Sequence, residues 1–528
     1  MNTARLARQL SLCDLAGSAL RKTALLINPP VYDTQYWAEW SQPYGLLRIG
    51  ALLKRRGYKR VELFDFMETD ERRKVSFRRI NPDESYAENE RPTTPLRPVT
   101  IQKGVERVDL NKYHFGKSWG EFEEWLDAQG FTPAHPPDEV WVSAVMTYWW
   151  ESVRDLTIRL KRRFGRRTTV LLGGIYPTLA PEHAASMTAA DIVVAGDAPE
   201  ANELWTDLSV YQKHPAYAII TPSRGCPFAC SYCAQRVLNS MSPRVLFRPP
   251  ADIVAEMRDK YERYGIRHFA FYADFLLWDW ENNLAKVLEQ VIGERLPFRF
   301  CAPEGLDTRF LSQDPRLLQL MKAAHFQKIY LPVESIDDSY VRTLNRKHVQ
   351  LEHFVKAARM CEEAGFRLRN LEVNAFVLYG LPQERMDQVV KTAIFVSEVV
   401  GSIIPMLFSP VPCTGIYTRY LPYFRERGWD RDLHMLNGKL YPFLQMNEGS
   451  LSDYIDLQRL MFMLNTHYRS RSFRLYGGTA VAKAFRENLS NGFQQFIEAQ
   501  LSGAADDAGV RSVADLRPLS SRTGSLSQ

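Results

Sequence analysis

The sequence predicts an α/β protein with three successive parts: a doubly wound (Rossmann-like) sheet, a run of six βα units, and a mainly helical C-terminal region. A strand, a helix and a second strand within residues 23–66 indicate the first part. Apolar strand segments that alternate with amphipathic helices between residues 218 and 408 indicate the second. The expected domains are residues 1–210 with an insertion at about 68–137, residues 211–410, residues 411–500, and a disordered tail at 501–528.

The composition is that of a globular protein with enough apolar residues for large cores. The chain has 528 residues, 45% of them hydrophobic, and a net charge of +6 from 67 basic and 61 acidic residues. This basic excess is small for the length, so we expect no DNA binding. No apolar run approaches the ~20 residues of a membrane span, and the first residues lack the apolar region of a signal peptide. We therefore expect a cytoplasmic monomer without a transmembrane segment.

The doubly wound sheet begins after a short helical lead-in at residues 1–22. Thr23–Pro30 is a continuous apolar run that ends in prolines, as a buried parallel strand would. Pro43–Gly57 is an amphipathic helix with a glycine stop, and Arg60–Phe66 is the next strand. The charged, proline-containing insertion then interrupts the pattern, and we expect residues 68–105 to be a solvated loop before a weak helix near residues 119–126.

The α/β pattern resumes at Glu139–Met146, which is apolar enough for a strand. A helix is expected from about Trp150 to Phe164, a strand at Thr168–Gly174, a helix at Ile175–His183, and a last strand at Asp191–Asp197. Glycines follow two of these strands. Parallel strands with glycines at their carboxyl ends predict a crevice that binds a nucleotide or a cofactor.

Three cysteines lie close together in the segment that follows a predicted strand at Ala218–Pro222. Cys226, Cys230 and Cys233 have C-x3-C-x2-C spacing, and Tyr232 precedes the last of them. Thiolates hold iron–sulfur clusters, usually with four ligands per cluster. Three ligands leave one iron without a protein ligand, so a substrate or a cofactor can bind there.

Zinc and disulfide interpretations of these cysteines fit less well. Structural zinc takes four nitrogen or sulfur ligands, typically from two close pairs. A disulfide framework is not expected in a chain of this length without an export signal. The remaining cysteines are isolated in the sequence: Cys13, Cys301, Cys361 and Cys413.

The strand and three-cysteine loop resemble the radical S-adenosylmethionine (SAM) superfamily. The resemblance implies a 4Fe-4S cluster held by Cys226, Cys230 and Cys233, whose open iron chelates the amino and carboxylate groups of SAM. It also implies cleavage of SAM to a 5′-deoxyadenosyl radical by the reduced cluster. An external electron donor such as flavodoxin or ferredoxin is then needed.

Six strands from Ala218 onward resemble the partial (β/α)6 barrel of this family, in which chemistry takes place at the carboxyl ends of the strands. After the first, the strands are expected at Ile266–Tyr272, Phe298–Ala302, Lys328–Ser335, Leu371–Tyr379 and Ser402–Phe408. The helices are expected at Pro249–Tyr264, Leu284–Gly293, Pro315–Ala324, His353–Gly365 and Met386–Val400.

Residues at these strand ends are candidates for contact with SAM. The resemblance implies that Asp274 contacts the amino group and that Glu334 contacts the methionyl or ribose portion. It implies that Gly380 packs near the adenine and that Tyr232 presents backbone groups to it. The alternative for Asp274 and Glu334 is a helix cap or a structural ion pair.

Catalytic residues on the substrate side stay unknown, with Tyr330, Tyr379 and Cys301 as candidates because they lie near strand ends. Glu304 and Asp307 are further residues that could line the barrel. A buried structural cysteine is the commoner outcome for a residue such as Cys301.

The N-terminal part resembles the cobalamin-binding domain of cobalamin-dependent radical SAM enzymes. Asn28–Pro30, the helix at Pro43–Gly57, Gly173–Thr178 and Gly196–Glu200 carry the resemblance. The implied cobalamin contacts are Asn28, Ser143, Gly173, Gly174, Tyr176, Pro177 and Gly196. The alternative is a degenerate domain that no longer binds cobalamin.

No D-x-H-x-x-G motif is present to supply a histidine to cobalt. Thr147–Trp150 follows a strand, and it either covers the lower face of the corrin or belongs to the aromatic core. The last part begins at Ser409–Tyr417, where Cys413 replaces a glycine that the family often has. This part, with its clearest helix at Leu451–Tyr468, is expected to cap the barrel and contact substrate.

The resemblance covers residues 23–415 and implies a cobalamin-dependent radical SAM enzyme, most commonly one that methylates an unactivated carbon. A cyclase or ring-rearranging oxidoreductase and a non-catalytic cobalamin or iron–sulfur sensor are the alternatives. A methylthiotransferase would carry three further cluster cysteines, but only Cys13 precedes Cys226. The substrate class is open among small molecules such as lipids, tetrapyrroles and natural-product precursors.

Overall fold

Strands and helices alternate along most of the chain. A computed structural model describes residues 5–7, 22–36, 42–68, 93–346, 350–368, 372–465 and 478–488. Its strands are β1 (Arg5–Ala7), β2 (Thr23–Asn28), β3 (Val31–Asp33), β4 (Arg60–Asp65), β5 (Thr93–Lys103), β6 (Glu106–Phe115), β7 (Glu139–Ser143), β8 (Thr169–Gly173), β9 (Ile192–Val194), β10 (Tyr217–Ile220), β11 (Ser223–Arg224), β12 (Leu246–Phe247), β13 (His268–Phe271), β14 (Arg299–Cys301), β15 (Phe326–Pro332), β16 (Val373–Tyr379) and β17 (Ile403–Leu407).

The helices lie mostly where amphipathic segments predict them. They are α1 (Tyr44–Arg55), α2 (Trp119–Ala128), α3 (Trp150–Phe164), α4 (Ile175–Leu179), α5 (Pro181–Met187), α6 (Pro199–Asn202), α7 (Gln235–Leu238), α8 (Pro250–Tyr264), α9 (Leu284–Gly293), α10 (Thr308–Leu311), α11 (Pro315–Ala323), α12 (Asp338–Thr343), α13 (Leu351–Glu363), α14 (Met386–Val399), α15 (Gly415–Glu426), α16 (Leu451–Leu464) and α17 (Ala480–Glu487).

The described residues divide into two units. The first contains those within 1–101, 109–299 and 409–442, and the second contains those within 102–108, 300–408 and 443–528. The predicted α/β class with parallel sheets is confirmed. In the part of the chain that is described, no helix has the length and apolarity to cross a membrane. The predicted tail and the end of the helix expected up to Tyr468 lie outside the described residues.

A six-stranded sheet forms the core of the N-terminal part of unit one. Its order is β1-β9-β8-β7-β2-β4, and neighbouring strands run parallel throughout. The strand order reverses between β2 and β7, because β4 lies on one side of β2 and the later strands lie on the other. In sheets of this order the ligand crevice lies outside the carboxyl ends of the two strands at the reversal.

Three sequence expectations about this part were wrong. Residues 5–7 form a strand that pairs with β9 instead of a helix, because an open sheet edge offers backbone partners that override local propensity. Residues 93–105 are not loop: β5 and β6 form a hairpin that adds to β3, with Gly104 at φ +58° in the turn. The helix at Ile175–His183 is two helices, since Pro181 bars helical geometry at Ala180.

The second parallel sheet is built from successive βα units. In unit one, β10 pairs with β13, and the backbone N–H of Arg299 at the start of β14 donates to Arg267 O at 2.8 Å. In unit two, β14, β15, β16 and β17 pair in parallel and in chain order. This connectivity puts the loops that follow these strands at the carboxyl ends of the sheet, where βα proteins carry their functional residues.

Candidate functional site

The cysteine-bearing loop lies in unit one, directly after β10. It begins with the short strand β11, which pairs antiparallel with β12. Cys226, Cys230 and Cys233 are partly buried, and none of them forms a disulfide. The backbone N–H of Cys233 donates to Cys230 O at 3.1 Å, so the last two cysteines lie on one tight turn.

The donor set of this loop, three thiols within one short segment, fits an iron–sulfur cluster. In the described residues, no set of three or more His, Cys, Asp and Glu side chains converges as a single ion requires. Residues 224–248 contain four arginines and no acidic residue.

Gly225, next to Cys226, is held in one conformation. Its φ is +98°, and a Cβ there would collide with Arg244 O. Its buried N–H donates to Asp274 Oδ2 at 2.6 Å, and the side-chain amide of Asn239 donates to the same oxygen at 2.9 Å. Asp274 follows β13, so this carboxylate ties the end of that strand to the start of the cysteine loop.

Arg236 holds the rest of the loop. Its guanidinium donates to Phe228 O at 3.0 Å and to Met241 O at 3.2 Å. Ser231 O accepts a hydrogen bond from the backbone N–H of Ile416 at 2.9 Å. Ser231 directly precedes Tyr232, and Cys233 directly follows it. Neither Arg236 nor the contact with Ile416 was predicted from the sequence, although an arginine three residues after Cys233 was visible there.

At the N-terminal sheet, Asn28 is engaged by another side chain. It lies at the end of β2 and donates from Nδ2 to Asp65 Oδ1 at 2.7 Å. Tyr211 donates its hydroxyl to the other oxygen of Asp65 at 3.1 Å, and burial raises the pKa of this carboxyl. Neither partner was predicted from the sequence. A cobalamin contact of Asn28 stays a prediction.

The glycine pair that follows β8 packs directly on the end of β7. Ser143 and Gly173 are register partners on these strands. Gly174 has φ +105°, and a Cβ there would collide with the backbone of Ala144. The close packing explains why glycine stands here. It leaves the backbone at the carboxyl end of the sheet uncovered by a side chain at this position.

Tyr176 and Pro177 are buried rather than directed into solvent. The Tyr176 side chain has no exposed surface, and burial raises the pKa of its phenol. Its oxygen lies 2.7 Å from His183 Nδ1, while His183 Nε2 lies 3.0 Å from Arg431 O. Nε2–H therefore donates to the carbonyl, and Nδ1 accepts from the phenol. A contact of Tyr176 with cobalamin through its side chain would need this packing to change.

The residues that follow β7 differ in their exposure to solvent. Thr147 and Trp150 are buried, which favours the core interpretation for them. Val145 and Met146 are each 40% exposed at the carboxyl end of β7, beside the reversal of strand order. The exposed apolar surface is therefore provided by Val145 and Met146, which the sequence analysis did not single out.

A fully buried carboxylate, Asp33, lies at the end of β3. It accepts from Trp149 Nε1 at 2.8 Å, from Lys439 Nζ at 2.9 Å and from Asn437 Nδ2 at 3.0 Å. Burial alone would raise the pKa of Asp33, but the Lys439 ammonium and the Trp149 N–H hold that pKa below its usual value. The group fixes the segment at 437–439 on the N-terminal sheet.

In unit two, Glu334 and Gly380 both follow strands of the second sheet and both have positive φ angles, +58° and +83°. Glu334 Oε1 lies 2.9 Å from Arg346 Nε, so the ion-pair alternative is realised for this residue. Glu334 also lines a small pocket together with Tyr340, Gln388 and Glu384.

Glu384 is a functional candidate that the sequence analysis missed. Its Oε2 accepts from the backbone N–H of Gly380 at 2.6 Å, and its carboxyl is buried. Burial raises the pKa of Glu384 to about 8, which the hydrogen bond from Gly380 only partly opposes. The acid four residues after a glycine at a strand end was the available signal.

The candidates for substrate chemistry are all interior residues of unit two. Cys301 and Tyr379 have no exposed surface, and Tyr330 is 5% exposed with its ring stacked on Phe376 at 5.4 Å. Asp307 caps α10 by accepting from the backbone N–H of Arg309 at 3.0 Å. Catalytic roles for these residues stay predictions.

Comparisons with known proteins agree with this geometry. The family described as the Radical SAM superfamily matches residues 220–396. An uncharacterized methyltransferase of Synechocystis is 31% identical over 120 residues, which are 22% of this chain and 21% of that protein. Bacteriochlorophyllide d C-8(2)-methyltransferase of Chlorobaculum tepidum is 24% identical over 404 residues, which are 66% of this chain and 84% of that protein.

A solved structure extends the likeness beyond residues 220–396. It is the radical S-adenosylmethionine methyltransferase TsrM from Kitasatospora setae with cobalamin and a 4Fe-4S cluster bound. The match has a TM-score of 0.53 at 13% identity and covers 76% of this chain and 78% of that one. By contrast, the chain spans only about a fifth, 21%, of the length of the Synechocystis methyltransferase. Residues 220–396 therefore form a radical SAM domain, within a chain that shares the fold of a radical SAM methyltransferase.

Proposed function

We propose that this chain is a cobalamin-dependent radical SAM methyltransferase that acts on an unactivated carbon of a small molecule. One observation carries the proposal: the three-cysteine loop lies in the same unit as a doubly wound sheet with a ligand crevice at its strand-order reversal. The methyltransferase relatives support the reaction class. When bound, the cluster and SAM supply a radical, and cobalamin supplies a transferable methyl group.

The proposed cluster ligands are Cys226, Cys230 and Cys233. Around them, Asp274 and Arg236 hydrogen-bond to the backbone of the loop and would thereby limit the positions that the thiolates can take. Tyr232 and Asp274 are the proposed SAM contacts of unit one. Glu334 and Gly380 are proposed separately as SAM contacts of unit two, because they follow strands of a parallel sheet.

The proposed cobalamin site is the carboxyl end of the first sheet. Gly173, Gly174 and Gly196 would offer backbone without side chains, and Asn28 and Ser143 lie at the ends of the two strands where the order reverses. Val145 and Met146 would give this site an apolar surface that excludes water. Tyr176 and Pro177 would act by shaping the backbone after Gly174.

The electron donor is proposed to be an acidic carrier protein such as flavodoxin or ferredoxin. Two of the four arginines within residues 224–248 are paired with carboxylates, Arg224 with Asp197 and Arg248 with Asp252 and Glu256. Arg236 donates to backbone carbonyls, and Arg244 is exposed. Beside them Met241 and Leu246 are 65% and 68% exposed. Positive charge around exposed apolar residues is the surface that an acidic partner would bind.

The reducing compartment that a cluster needs supports a cytoplasmic location. We also propose domain boundaries at residues 210 and 410, which limited proteolysis tests. We propose a monomer, which gel filtration tests. Since one relative is named for a bacteriochlorophyllide, a tetrapyrrole is the first substrate class to examine.

Product analysis of the reduced, reconstituted protein tests the reaction class. The protein is incubated anaerobically with SAM, hydroxocobalamin and candidate substrates. Radical formation leaves 5′-deoxyadenosine, and methyl donation leaves S-adenosylhomocysteine. A methyltransferase of the proposed kind yields both products. A rearranging enzyme yields no S-adenosylhomocysteine, and a sensor yields neither, so either result overturns the proposal.

A further inference from the structure

We infer that Asp197 and Arg224 are a positioning pair that couples ligand occupancy at the carboxyl end of the first sheet to the cysteine loop. The inference rests on the proposed function, because it concerns the two cofactor sites proposed above. Asp197 Oδ1 accepts from Arg224 Nη2 at 2.6 Å. Asp197 follows β9 of the first sheet, and Arg224 lies two residues before Cys226. Both residues belong to unit one.

On the sheet side, hydrogen bonds join the loops that follow two strands. Thr178 donates its hydroxyl to Gly174 O at 2.7 Å and accepts at the same oxygen from the N–H of Gly196 at 3.0 Å. Gly174 follows β8, while Gly196 precedes Asp197. A ligand that moves the backbone at Gly174 or Gly196 would therefore also move the carboxylate of Asp197.

On the cluster side, the chain next to Arg224 has little freedom. Gly225 has φ +98°, and its N–H is held by Asp274. A shift of Arg224 is therefore passed to Cys226 rather than absorbed between them. The pair thus connects two stretches that are each fixed by their own hydrogen bonds.

A second connection runs parallel to the pair. Cys413 lies 3.3 Å from Leu179 O, on the same helix as Thr178, and Ile416 donates to Ser231 O at 2.9 Å. The segment between Cys413 and Ile416 therefore touches both the helix after Gly174 and the cysteine loop. Removal of the Asp197–Arg224 pair should consequently reduce the coupling without separating the two sites.

The expected coupling is modest, because the side chains are 32% and 37% exposed. A partly exposed pair changes an equilibrium by about two- to fivefold. We expect the cluster-loaded protein to bind hydroxocobalamin about two- to fivefold more tightly than the cluster-free protein. Linkage then requires cobalamin to stabilise the cluster by the same factor.

The experiment is an anaerobic absorbance titration of the full chain with hydroxocobalamin, with and without the reconstituted cluster. Asp197→Asn and Arg224→Gln should each lower the affinity ratio toward one, with the remainder carried by the connection through Cys413 and Ile416. The charge-exchanged double variant Asp197→Arg with Arg224→Asp should restore part of it. Glu62→Gln is the matched control, because it breaks an ion pair of similar exposure in the same unit.

The outcomes of the titration distinguish a failure of the coupling from a failure of the proposed function. A wild-type ratio of one, or an unchanged ratio in Asp197→Asn, overturns the coupling while cobalamin binding stands. A reduced ratio in the Glu62→Gln control also overturns it, since any lost ion pair would then suffice. If no protein binds hydroxocobalamin, the proposed function fails and the inference fails with it.

Discussion

Replacement of Gly225 by alanine should abolish stable assembly of a cluster. The residue has φ +98°, a region that costs an alanine about 1–3 kcal/mol. A Cβ would in addition collide with Arg244 O, so the backbone must move and the buried N–H must leave Asp274. Loss of that charge-assisted hydrogen bond adds about 1.5–3 kcal/mol.

Together these terms disfavour the observed loop by about 2.5 to 6 kcal/mol, which is about 70-fold or more. The assay is the iron content per chain after anaerobic reconstitution and gel filtration, with the thermal midpoint recorded in parallel. Gly225→Ala should fall from about four irons to less than one while the chain stays folded.

Gly265→Ala is the matched control. Gly265 ends α8 with φ +70°, but the space around its Cβ position is open. Its substitution should cost about 1–2 kcal/mol of stability and leave the iron content unchanged. Wild-type iron content in Gly225→Ala would refute the argument that the loop geometry depends on this residue.

Three further predictions concern single side chains. Asp274→Ala should lower iron retention against a chelator several-fold more than Asp274→Asn, which keeps an acceptor for Gly225; equal loss in both variants would contradict this. Burial raises the pKa of the Glu384 carboxyl from 4.5 to about 8. The neutral carboxyl therefore contributes its full stability below the unfolded-state pKa of about 4.5, and this stability is lost as pH rises through about 8. Glu384→Gln should therefore gain stability relative to wild type between pH 5 and pH 8.5 in denaturant titrations, and a constant difference across that range would argue against a neutral carboxyl. Arg244→Glu should slow 5′-deoxyadenosine formation several-fold with reduced flavodoxin but not with dithionite, and equal slowing with both reductants would exclude a docking role.

Local patterns in the sequence were sufficient for the fold class and for the cysteine loop. The spacing of Cys226, Cys230 and Cys233 is local, and the apolar strands of both sheets are continuous runs in the sequence. The hairpin of β5 and β6 was not predicted because both faces of its strands are mostly polar. A segment of this composition indicated a solvated loop. Its turn residues at 104–105 were the available signal.

Contacts between distant residues could not be derived from the sequence. Asp33 meets Lys439, which is 406 positions away, and no local pattern marks either residue as a partner. Asp197 and Arg224 are only 27 positions apart, yet the predicted domain boundary at residue 210 separates them. The position of Glu384 after a strand-end glycine was visible in the sequence, but the raised pKa of its carboxyl was not, because it results from burial in the fold.

Metal analysis of the reconstituted protein tests the central claim most directly. The full chain is incubated anaerobically with iron, sulfide and hydroxocobalamin, passed through gel filtration, and analysed for iron and cobalt per chain. The account predicts about four irons and one cobalt, and loss of iron alone when Cys226, Cys230 and Cys233 are replaced by alanine. Four irons without cobalt would contradict the two-cofactor account and leave a radical SAM enzyme that works without cobalamin.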